Sequence, residues 1–137
     1  YSTFIYLCQK MKKEHPEVNL EIIPGVTSLT ACAAVSKIAL AEKNEVLSII
    51  PSGIDADRIG KIAEHASSLV LMKGAKRLKE LVPVLEKSGF TKDSTVALVR
   101  RCSMPKEKTM IGLLGDVENW DIHDDYFSIS LIKEKNK

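Results

Sequence analysis

Apolar positions recur along this chain in two rhythms, one of about 3.6 residues and one of two, and their alternation lays out an α/β fold. Phe4, Leu7, Cys8 and Met11 sit at i, i+3, i+4 and i+7, which predicts a helix from Ser2 to Glu14 with one buried stripe, ended by Pro16. "VNLEII" then alternates Val18, Leu20 and Ile22 and predicts a strand entering Pro24-Gly25. Thr27 or Ser28 caps the next helix, which runs to Lys37 and is built of small side chains, among them Ala31, Cys32, Ala33 and Ala34. Such a helix buries little area per residue, so its use is to let backbone or ligand come close.

"VLSII", Val46 to Ile50, predicts a short strand closed by Pro51-Ser52-Gly53, and a helix follows from Asp57 to His65. "SLVLMKG" holds an unbroken apolar core from Leu69 to Met72, the pattern of a strand covered on both faces. Leu78, Leu81, Val82 and Leu85 return to helical spacing, with Gly89 where a left-handed C-cap belongs. "STVALVRR" is another strand, and "KTMIGLL" and "YFSISLIKE" are two more, separated by an irregular acidic stretch. Strands that follow one another without a helix place an antiparallel edge on a mixed sheet. The expectation is one α/β domain over residues 1–137, a mixed sheet of about five or six strands flanked by about four helices.

Charge and composition narrow the function classes. Lys+Arg 20 against Asp+Glu 18 leaves no global basic excess of the kind a nucleic-acid binder uses. The longest apolar runs fall short of the roughly 20 residues that cross a membrane. Cys8, Cys32 and Cys102 fit neither a disulfide framework nor a zinc spacing, and the opening residues do not resemble a signal peptide. A cytoplasmic setting is therefore expected, with neither nucleic acid nor membrane as partner. The chain has no initiating Met and opens on a helix, whereas alternating α/β chains open on a strand; a fragment is expected, its first strand lying upstream.

In open α/β sheets, ligands bind beyond the carboxyl ends of the strands. The loops there are Pro24 to Ser28, Pro51 to Gly53, Met72 to Gly74 and Arg100 to Pro105. Gly25 permits a tight turn, and Thr27 and Ser28 set hydroxyls beside helix N-terminal amides; read without context, the same turn does no more than start a helix. Neither a P-loop nor a GxGxxG pattern is present, so no phosphate cradle is indicated. His15, His65 and His123 lie at helix ends or in the acidic loop, where solvated or capping roles are expected. Arg100 and Arg101 are neighbours on a strand end, so at most one can enter a cleft. No triad, carboxylate pair or metal cluster stands out, and an enzyme built this way would work by positioning.

"YSTF", "EIIPGVTS", "IALAEKNEVLSIIPS", "LVLMKG", "VALVRRCSMPKEK" and "YFSISLI" follow the order found in the tetrapyrrole (corrin/porphyrin) methylases of cobalamin biosynthesis, which the chain resembles over essentially its whole length. Within that family the series looks most like the enzymes that methylate C20 of precorrin-2 or cobalt-factor II, because several relatives carry Thr-Gly-His where this chain has Pro51-Ser52-Gly53. The resemblance implies a two-domain, homodimeric enzyme with S-adenosyl-L-methionine (SAM) in the cleft between domains, S-adenosyl-L-homocysteine as product and a tetrapyrrole as substrate. It also implies that this chain is the C-terminal domain, with the N-terminal domain and a Gly-Asp-Pro motif lying ahead of Tyr1. Carried over by position, the cofactor contacts fall on Ser2, Thr3, Thr27, Ser28, Met72, Lys73, Cys102 and Ser103; Cys102 departs from relatives that often place Gly or Ala there. Lys73, Lys76, Arg77, Arg100 or Arg101 could hold the acidic rim of the substrate. Two other readings stay open: a methylase of the same fold acting at another carbon, and a non-enzymatic α/β binding domain.

Overall fold

Strand β2 (Ser68–Met72), the unbroken apolar run, lies inside the sheet with all but its last residue buried. The computed structural model describes residues 3–135 and places around it β1 (Leu47–Ile50), β3 (Thr95–Arg100), β4 (Lys108–Leu113) and β5 (Ser128–Lys133). These five strands form one mixed sheet in the order β1-β2-β5-β3-β4. β1 and β2 are parallel; every pairing made by β5 and β4 is antiparallel. The helices are α1 (Thr3–Glu14), α2 (Ser28–Ser36), α3 (Ala56–Ala63) and α4 (Leu78–Lys87), with short 3-10 helices at Gly74–Arg77 and Leu114–Asn119.

Alternation along the strands sends side chains to two separate cores. On one face Ile59 of α3 and Leu78, Leu81 and Leu85 of α4 cover Leu69, Leu71, Val96, Leu98 and Ile132. On the other, Leu29, Cys32 and Ala33 of α2 pack in one cluster with Val70, Ala97, Val99, Ile129 and Leu131. Small residues on α2 thus meet the small Ala97 at mid-sheet, the close approach its composition predicts. Local signals hold at the helix ends: Asp55 Oδ1 accepts from Arg58 N at 2.9 Å and starts α3, and Gly89 takes φ +104 just beyond α4.

Three expectations are corrected. Val18 to Ile23 forms no strand, and Ile23 is 81% exposed. A period of two describes a strand only when a neighbour accepts its hydrogen bonds, and the outer strand β1 has only β2 beside it. The apolar stripe of α1 is also not buried: Cys8 alone on the helix is, whereas Leu7 stays 56% exposed. Periodicity marks a face to be covered without supplying the cover. Finally, β5 does not extend the β4 edge but enters the sheet between β2 and β3, where five of its six residues are buried.

Candidate functional site

Because β5 is antiparallel to both β2 and β3, and β1 is parallel to β2, the carboxyl ends of β1, β2 and β3 share one edge of the sheet with the start of β5. In register, Ile129 faces both Met72 and Val99, and Ser128 faces Arg100. Chain leaving β2 and β3 turns at once through left-handed backbone: Lys73 at φ 55, Arg101 at φ 53 and Ser103 at φ 60. Non-glycine residues in this region cost energy and persist where surrounding contacts hold them.

These ends, with the first turn of α2, enclose a cavity of about 320 Å3 lined by Ser28, Cys32, Met72, Lys73, Cys102, Met104, Tyr126, Phe127, Ser128 and Ile129. Four sequence-predicted positions, Ser28, Met72, Lys73 and Cys102, are therefore brought together from three separate loops. Thr27 and Ser103 adjoin lining residues without lining the cavity. Thr27 Oγ1 lies 3.1 Å from Thr30 Oγ1, and Ser103 N donates to Glu107 Oε2 at 2.6 Å. Thr3 opens α1 and is not on the cavity wall; Ser2 lies outside the described residues.

Sequence reasoning missed the Tyr126–Phe127 wall, whose only signal was an aromatic pair directly before the "SISLI" strand pattern. The two rings meet edge to face, centroids 5.3 Å apart, and Lys73 Nζ sits 4.0 Å from the Tyr126 ring centroid. Asp125 anchors this wall. Its Oδ2 accepts from Arg101 Nε at 2.8 Å and its Oδ1 from Phe127 N at 3.0 Å, while its carbonyl accepts from Ser128 Oγ at 2.6 Å. Ser128 Oγ in turn accepts from Ala75 N at 3.1 Å, and Arg101 N donates to Phe127 O at 2.7 Å. The Arg101 guanidinium holds the Asp125 carboxyl below its ordinary range. Arg101 thus braces the wall instead of entering the cleft, and Arg100 reaches His123 O at 3.5 Å; neither lines the cavity.

Cys32 is 1% exposed, and burial, then the Cys102 thiol and Glu107, push its pKa from 9.0 to about 12. It is a thiol at neutral pH, unfit as a nucleophile. On the other side of Lys73 and Tyr126 lies an open depression of about 600 Å3 that adds Ser52, Lys76, Arg77, Glu80, Asp124 and Asp125. Arg77 is committed there, donating to Ile54 O and to Glu80 Oε1, whereas Lys73 and Lys76 are exposed. No cluster of three His, Cys, Asp or Glu that could hold a metal occurs among the described residues, and no helix among them is long and apolar enough to cross a membrane.

The family model for Tetrapyrrole (Corrin/Porphyrin) Methylases matches residues 1–118. A probable cobalt-precorrin-2 C(20)-methyltransferase of Methanocaldococcus jannaschii is 35% identical over 133 residues, covering 97% of this chain and 54% of its own. A precorrin-4 C(11)-methyltransferase of Pseudomonas aeruginosa is 32% identical over 111 residues, covering 71% of this chain and 41% of its own. This chain therefore spans about half the length of the curated relatives it matches. Among solved structures, a cobalt precorrin-4 methyltransferase superimposes with TM-score 0.74 at 21% identity, covering 96% of this chain and 58% of that one. A uroporphyrin-III C-methyltransferase from Thermus thermophilus, complexed with S-adenosyl homocysteine, gives TM-score 0.66 at 20% identity over 96% of this chain and 57% of its own. At that identity the likeness establishes the fold.

Proposed function

We propose, because this chain belongs to the tetrapyrrole (corrin/porphyrin) methylase family, that it is the C-terminal domain of a SAM-dependent C-methyltransferase of cobalamin biosynthesis. The observation that carries the reading is the convergence of Ser28, Met72, Lys73 and Cys102, from three separate loops, on one cavity. Its volume lies at the lower end of ligand pockets, in keeping with a site completed by a second wall. The residues also fit the cofactor. Thr27 makes no side-chain bond to the first-turn amides of α2, so these amides and the Ser28 hydroxyl can serve a carboxylate or ribose hydroxyl. Phe127, Ile129, Met72 and Met104 offer apolar contact to the rest.

SAM, when bound, supplies a methyl group on a sulfonium for in-line displacement by an electron-rich ring carbon. This chain's part is to orient and to exclude water. Loops fixed by the Asp125 bonds hold one wall still, and alignment of this kind is worth about 7–11 kcal/mol of a barrier. Lys73 and Lys76, exposed on the adjoining depression, suit the carboxylates of a tetrapyrrole rim. We assign the methylated position to C20 of precorrin-2 or its cobalt form, since that relative matches across 97% of the chain and the C(11) relative across 71%. Methylation at C11 is the second reading, supported by the 32% identity of the latter.

Calorimetry with S-adenosylhomocysteine tests the cofactor site. Thr27→Val with Ser28→Val should weaken binding by about 10- to 100-fold, the scale of one or two unpaired polar groups. Unchanged affinity overturns the assignment. The chain alone should fold but release S-adenosylhomocysteine from SAM and cobalt-precorrin-2 several powers of ten more slowly than the protein that includes its preceding domain; turnover within about tenfold removes the two-wall reading. Carbon-13 NMR of the product made from labelled SAM separates C20 from C11.

A further inference from the structure

The chain has three cysteines and four methionines, and four of these seven side chains, Cys32, Cys102, Met72 and Met104, line the one cavity at the sheet edge. They arrive from four places: α2, the end of β2 and two positions of the loop after β3. Cys32 and Cys102 line the same cavity, and Cys102 packs against the cluster that holds Cys32. Among the described residues no imidazole lines the cavity, and the polar residues that do are two serines, a tyrosine and a lysine. Borderline and hard divalent ions need nitrogen and oxygen donors in number, whereas thiolate with thioether selects soft d10 ions.

We propose that Cys32 and Cys102 form a binding site for a soft monovalent metal ion, Cu(I) or Ag(I), with the thioethers of Met72 and Met104 as supporting donors. Binding exchanges two thiol protons for one cation, so both protons leave to solvent and the dithiolate complex carries one net negative charge. Lys73, on the same wall, offsets that charge, while Glu107 near Cys32 opposes it. The inference uses only the cavity's own atoms and does not depend on the cofactor reading. If both hold, metal and S-adenosylhomocysteine exclude one another, because they claim the same space.

The test is anaerobic titration of the chain against the coloured Cu(I)–bicinchoninate complex, with circular dichroism to confirm that each variant is folded. One Cu(I) should be withdrawn per chain. Cys32→Ser and Cys102→Ser should each weaken that binding by roughly 100-fold, Met72→Leu and Met104→Leu by about tenfold, and Cys8→Ser should leave it unchanged. No withdrawal by the folded parent chain overturns the proposal, as does withdrawal by Cys32→Ser or Cys102→Ser equal to the parent's, or loss on Cys8→Ser alone. A second titration in saturating S-adenosylhomocysteine separates the two ideas. Metal binding that persists unaltered refutes shared space and counts against the cofactor assignment, while the dithiol site stands on the variants.

Discussion

Cys32 shows how one buried side chain ties stability to pH. Its pKa stands at about 12 in the fold against 9.0 for a free thiol, so the unfolded chain ionises first as pH rises. The contribution of this thiol is constant below pH 9 and stability falls between the two values, with a one-proton slope of at most about 1.4 kcal/mol per pH unit. Melting temperatures of the parent chain should therefore fall more steeply over that window than those of Cys32→Ala, whatever the lysines contribute to both; parallel curves would contradict it. Asp125 acts at the opposite limit. Its carboxyl is held below 3.8 by Arg101, so the brace is complete above that value and is lost as pH falls through the lowered one. Sequence reading gave little of this, because Asp125 is one acidic residue in an acidic loop. Nothing local distinguishes the carboxylate that meets Arg101 from its exposed neighbour Asp124.

Elements were legible where their signal is internal. α4 and β2 read correctly because amphipathic spacing, a closing Gly and an unbroken apolar run act within the element itself, and α3 lies within two residues of its expected bounds. Val18 to Ile23 misled because strand pairing is a property of two segments, and α1 misled because its stripe says nothing of what covers it. The site was half legible: loops after β2 and β3 followed from the strand-end rule, whereas Tyr126 and Phe127 reach the cavity only because β5 enters mid-sheet. That insertion makes a tight junction with the 3-10 helix after β2. A Cβ on Gly74 would lie 2.5 Å from Ser130 Oγ and 2.9 Å from its Cβ, and that hydroxyl has no hydrogen-bond partner among the described residues. Gly74→Ala should cost about 1–3 kcal/mol. Ser130→Ala removes an unsatisfied buried hydroxyl and should be neutral or stabilising, and adding it to Gly74→Ala should recover part of the loss. Urea unfolding of the four chains closes the cycle, and strictly additive losses would mean the two residues do not collide.

At the scale of the whole molecule, exposed apolar side chains include Leu7, Ile22, Ile23 and Val26 and, along β4, Ile111 and Leu113. Within the proposed two-domain methyltransferase such surface suits a partner domain or a second copy, and light scattering at tens of micromolar (~) should report a dimer; a monomer there would remove self-association from the proposal. The sheet order carries one more consequence, for how the protein is made. β5 is the latest of the described strands to leave the ribosome, yet it alone joins β2 to β3. At roughly 5–20 residues per second, β3 waits on the order of two to seven seconds with its inner edge bare. During that interval the nascent chain holds two half-sheets whose open edges invite strand exchange with a neighbour on the same message. Slower translation across Arg101 to Phe127 should then lower the yield of soluble chain, measured by fractionating lysates after synonymous slow-codon substitution there, and an unchanged yield would contradict it.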